Sequence, residues 1–133
     1  MSAIIGEGVS LRGLRDERYN YTWNITGACT AADVGKAMSQ DVTARNSVKL
    51  ALAGNTLVGS LASYENRVQE GIVVGAVARK GVFVWAYTGA DPVYGESVVG
   101  SATPGSVVAA LAAPGSVVVD VDTVNKLVTV LFD

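Results

Sequence analysis

Hydrophobic and polar residues alternate through much of this chain. The cleanest run is Tyr19 to Thr26, where Tyr19, Tyr21, Trp23 and Ile25 share one side and Asn20, Thr22, Asn24 and Thr26 the other. A period of two in aromatic and β-branched residues predicts a strand. Thr30 with Asp33 three residues on has the form of a capping box, and Gly35 then interrupts any helix. That stretch predicts a turn followed by a short strand over 36–40. Residues 47–64 predict two short strands around the turn Ala53-Gly54-Asn55, because Gly and Asn both tolerate positive φ.

Residues 71–89 carry the strongest hairpin signal. Lys80-Gly81 supplies a two-residue turn. That register sets Ala78 against Phe83, Ala76 against Trp85 and Val74 against Tyr87, small against large at each step. Val82, Val84 and Ala86 make the opposite face apolar too. A strand apolar on both faces is expected at the centre of a sandwich or at a subunit interface.

The motif "PGSVV" occurs twice, starting at Pro104 and Pro114, each time ahead of a valine-rich run. Pro-Gly marks a turn, and a spacing of about ten residues predicts an up-and-down meander. The last run predicts a second hairpin about Asn125-Lys126, pairing Val121 with Val130 and Val119 with Phe132, with Asp120 and Asp122 on the other face. No segment shows three turns of helix. The expected fold is therefore all-β, a compact β-barrel or β-sandwich of short antiparallel strands over residues 20–133. Residues 1–19 lack a clear period yet hold apolar anchors and a charged cluster, and predict an extended N-terminal arm that orders against a neighbour. Its expected contacts are Ile4, Ile5, Leu11 and Leu14, with Arg12, Arg15 and Arg18 facing acidic residues of a partner.

Composition narrows the function. The chain has 133 residues, 50% of them hydrophobic, and a mean hydropathy of +0.35. This is enough to build a core, with apolar surface left for partners. A net charge of −2 and scattered basic residues argue against nucleic acid. No apolar run approaches about 18 residues, which argues against a membrane anchor. No secretory signal is recognised, so the Asn20 and Asn24 sequons are read as chance matches. One cysteine, Cys29, fits synthesis in a reducing cytoplasm and reads as a small buried hydrophobe.

Histidine is absent, which removes the usual general base and the commonest metal ligand. Asp120 and Asp122 share a strand face, but two ligands do not make a calcium site. No nucleophile elbow, dinucleotide fingerprint or phosphate loop occurs. Neither an enzyme nor a cofactor is expected. Trp23, Phe83, Trp85 and Tyr87, at period-two spacing, are expected in the core or at an oligomer interface. A sugar-stacking role for Trp23 or Trp85, in a small carbohydrate-binding module, is the weaker alternative.

Three stretches within Asp33 to Val99 resemble the small phage capsid cement, or decoration, proteins: "DVGKAMSQD", "NSVKLALAGNTLVGSLASYENRV" and "EGIVVGAVARKGVFVWAYTGADPVYGESV". The matching positions are Asp33, Gly35, Lys36 and Ala37, then Lys49 and Ala51, then the turn Ala53-Gly54-Asn55. Val58, Gly59 and Leu61 follow, then Gly71, Ile72 and Val74, and lastly Gly95-Glu96. The resemblance covers about half the chain. It implies a non-enzymatic virion protein bound to the outer surface of a shell built from a major capsid protein. It also implies a homo-oligomer, with a trimer favoured over a dimer. Another phage subunit, such as a tail-tube protein, is the alternative within that class.

Overall fold

The computed structural model describes residues 20–111 and 115–132. The arm expected over residues 1–19 lies outside them, with all its expected contact residues. The described chain is nearly all β and holds a closed five-stranded barrel.

The barrel is built from β1 (Asn20–Ile25), β2 (Ala37–Gln40), β3 (Ser47–Leu50), β4 (Leu57–Leu61) and β6 (Ile72–Ala78). The order is β1-β3-β2-β4-β6, and β6 pairs back onto β1 to close the ring. β5 (Glu65–Arg67) extends the sheet beside β6. Four of the ring's contacts are antiparallel, as expected, but β1 and β3 run parallel, with Asn24 opposite Ser47 and Ile25 opposite Val48. A ring with an odd number of strands cannot alternate direction all the way round, so one parallel pair is unavoidable.

Each barrel strand sends one side chain to the centre: Ile25, Met38, Val48, Leu61 and Val77, all buried. The expected capping box is present. Thr30 caps a single 3-10 turn, Ala31–Asp33, while its own N–H donates to Asp33 Oδ2 at 2.8 Å. The turn feeds β2, close to the predicted position.

The second half holds β7 (Gly81–Ala86), β8 (Ser97–Gly100), β9 (Val107–Ala110), β10 (Ser116–Asp122) and β11 (Leu127–Phe132). β10, β11 and β7 form one sheet, and β8 and β9 form a hairpin. Backbone contacts join them into a looser second ring. Val118 N–H donates to Glu96 O (2.7 Å), Gly95 N–H donates to Val118 O (2.9 Å), and Tyr87 bridges Val107. Phe83, Trp85, Val98, Val118 and Val130 fill this ring, and small barrel residues, Ala37, Ala51 and Ala78, pack against the same cluster.

Three expected pairings differ. β6 and β7 are not a hairpin. β1 occupies one edge of β6, and β4 and β5 occupy the other, so no edge is left for β7. β7 pairs instead with β11, six residues against six. The two valine runs are not meander neighbours either. β9 pairs with β8 and β10 with β11, although Gly105 and Gly115 both take the positive φ that their turns require. The last hairpin exists in another register: Val121 faces Val128, and Val118 faces Val130 across a bulge. The Asp122 carboxylate accepts from the N–H groups of Val124 and Asn125, which makes the turn two residues longer than expected.

Candidate interaction surface

The aromatic stripe of β7 is core. Phe83, Trp85 and Tyr87 are 4%, 2% and 3% exposed. Phe83 and Trp85 stack at 5.4 Å between centroids, and Phe132 meets Trp85 edge-on at 6.2 Å. Trp85 therefore offers no face to a sugar. Its indole N–H is enclosed without an acceptor among the described residues. Trp23 belongs to a different cluster, half-buried against the barrel core and 6.5 Å from Tyr21, whose ring lies 5.1 Å from the Arg79 guanidinium. The structure does not bring Trp23 to the other three.

The carboxylates that stand out chemically are holding turns. Asp41 accepts from the hydroxyls of Thr26 and Thr43 at 2.6 Å each, and these bonds pull its carboxyl down to about 2. Asp33 is held below the usual range by Lys36 at 2.8 Å and by the Thr30 N–H. Asp91 is lowered by the Tyr87 hydroxyl (2.6 Å) and by Lys126 (3.3 Å), and the Tyr87 phenol is pushed up to about 12 in return. Asp122 is lowered by Asn125. These bonds favour the charged carboxylate. Among the described residues no group of three His, Cys, Asp or Glu could hold a metal. Burial raises the Cys29 thiol to about 11, the wrong direction for a nucleophile.

Several large apolar side chains are exposed. Val93 and Tyr94 stand at the turn before β8, Leu111 follows β9, Val117 and Val119 point out from β10, and Leu131 points out from β11. The fold gathers them. The bonds between Val118 and Gly95-Glu96 lay the Val93–Tyr94 turn along β10. Val117 and Leu131 are direct cross-strand neighbours. Ser97 faces Ala110 and its hydroxyl donates to Ser116 O, which sets Leu111 at the same end. Tyr94 is 69% and Leu111 94% exposed.

Much of this half of the sequence lacks cations. No Lys or Arg occurs from Gly81 to Asn125, a stretch that carries Asp91, Glu96, Asp120 and Asp122. Clustered exposed apolar side chains mark contact surfaces on proteins. The repeated "PGSVV" runs point to this region in sequence, but which valines face out depends on a register that local pattern does not reveal.

No protein-family model and no curated protein matches this chain.

Proposed function

We propose that this chain is a structural virion protein that binds the outer surface of a phage capsid and braces the shell. Its partner is the major capsid protein. It acts as a closed homo-oligomer, a trimer on the motif resemblance, on the virion exterior after synthesis in the host cytoplasm. The observation that carries the reading is the exposed apolar surface around Tyr94, Leu111, Val117 and Leu131. Such a surface gains free energy when a neighbour covers it, at about 25 cal/mol per Å² of apolar area removed from water. Many copies on one shell would convert modest single contacts into tight attachment. The turn-holding carboxylates and the raised Cys29 thiol fit a body that holds its shape while others bind it.

The test uses shells of the phage that carries this chain, assembled without it. The purified protein is mixed with them and sedimented. Saturable co-sedimentation is expected, together with a higher temperature of shell disruption. A chain that stays in the supernatant at concentrations far above those of the shell subunits overturns the reading.

A further inference from the structure

The two rings are built alike. The first runs β1-β3-β2-β4-β6, with β6 closing on β1. The second repeats that order as β7-β9-β8-β10-β11, with β11 closing on β7. In each ring the first and third strands are the parallel pair. Ile25 lies opposite Val48, and Thr26 N–H donates to Val48 O at 2.9 Å. Tyr87 lies opposite Val107, and Thr88 N–H donates to Val107 O at 2.9 Å.

The match continues residue by residue. Met38 faces Leu50 and Gln40 faces Val48, as Val98 faces Ala109 and Gly100 faces Val107. Gly35 N–H donates to Leu61 O and Leu61 N–H to Lys36 O, as Gly95 N–H donates to Val118 O and Val118 N–H to Glu96 O. Leu61 and Tyr21 both face Val77, as Val118 and Phe83 both face Val130. The five side chains at the centre of the first ring thus correspond to Tyr87, Val98, Val107, Val118 and Val130, all buried.

Sequence and turn geometry agree with this pairing. The pattern W-x-x-T-G-A occurs at Trp23–Ala28 and again at Trp85–Ala90. Gly27 and Gly89 have φ of 75° and 77°, and Gly35 and Gly95 have φ of 97° and 87°. Asp41 N–H donates to Ser47 O while the Asp41 carboxylate accepts from Thr43 N–H; Ser101 N–H donates to Ser106 O while the Ser101 hydroxyl accepts from Thr103 N–H. The residues just before those serines, Asn46 and Gly105, both take positive φ. Closing five strands forces one parallel pair. It does not dictate which strands make that pair, the register of every neighbour, or a shared six-residue pattern.

We infer that the chain is a tandem duplication of one five-stranded unit, present once over residues 20–78 and again over residues 82–132. It is two like bodies in one chain, in place of the single β-domain expected over residues 20–133. β5 has no counterpart among the described residues of the second unit and is an insertion in the first. The inference stands apart from the shell-binding reading, since it rests on pairing and sequence alone.

The experiment exchanges equivalent segments in the intact chain. Residues 41–46 are replaced by a copy of the equivalent tip, Ser101–Gly105, so that Ser47 follows the graft as Ser106 follows the original. A second variant carries the same five residues one position later, in place of residues 42–47. That shift puts the graft's glycine where Ser47 belongs. Circular dichroism and urea unfolding are measured for both. The matched graft is expected to keep the wild-type spectrum and a single cooperative transition, and its crystal structure to show the grafted serine hydroxyl accepting from the grafted threonine N–H. The shifted graft is expected to lose the cooperative transition. A matched graft that does not fold, or a shifted graft that folds as well as the matched one, overturns the inference.

Discussion

The Thr26 hydroxyl donates to Asp41 Oδ2 at 2.6 Å and so ties the chain just past β1 to the end of β2. The other oxygen of Asp41 accepts from both the hydroxyl and the N–H of Thr43, which shapes the tip loop that carries Val42 and Arg45. All three bonds favour the carboxylate. The folded-state value, about 2, therefore lies below that of an unfolded Asp, roughly 3.9. Stability from this group is complete above the unfolded value and is lost as pH falls through the folded one. Thermal melts from pH 5 to pH 2 should show the wild type losing stability across this window. Asp41→Asn should start lower and fall less steeply. Parallel curves would show that Asp41 is not a source of acid sensitivity.

Gly75 sits in β6 where the barrel wall has no room for a side chain. A Cβ there would strike the carbonyl oxygen of Ser63 and come within 2.7 Å of Ile25 Cδ1. Neither can retreat easily, since the first is backbone and the second fills the barrel centre. Gly75→Ala is expected to cost about 1–3 kcal/mol, the usual range for overpacking. Urea titration followed by tryptophan fluorescence reads this directly. A midpoint within error of the wild type would mean that the barrel is looser than its side chains imply.

Much of the strand content was legible because it is local. The alternation in "YNYTWNIT" marks β1, the runs around Gly54 mark β3 and β4, and Thr30 with Asp33 marks the turn before β2. Pairing was less legible, because it is not local. The Lys80-Gly81 step looks like a hairpin until β1, β4 and β5 are known to occupy both edges of β6. The C-terminal hairpin was legible in kind but not in register, since Asp122 lengthens the turn and a bulge follows Val118. The apolar surface was half legible. The valine repeats mark the segment, but the approach of Tyr94 comes from the contact of Val118 with Gly95-Glu96.

Cys29 is 7% exposed, and burial raises its thiol to about 11. Thiolates, not thiols, attack alkylating reagents. At pH 8 the native protein should react with iodoacetamide many times more slowly than the same chain in denaturant. The rate in the native state should then follow the rate of opening. Labelling of the folded chain at the speed of a free thiol would place Cys29 at the surface and contradict the packing.

The barrel's strands close on themselves within residues 20–78. Its central side chains run from Ile25 to Val77, and its closing pair joins Asn20 to Ala78. Removing Met1 to Arg18 should therefore leave circular dichroism and the unfolding midpoint close to the full-length values. Shell binding should not survive if Ile4, Ile5, Leu11 and Leu14 supply apolar anchors and Arg12, Arg15 and Arg18 meet acidic shell residues. An arm that orders on its partner loses roughly 1–2 kcal/mol of backbone entropy per residue. Only an extensive contact offsets that, so losing the arm should abolish occupancy rather than trim it. Co-sedimentation with empty shells separates the outcomes. A truncated chain that binds at full occupancy removes the arm from the interface and leaves the apolar surface of β10 and β11 as the part that touches the shell.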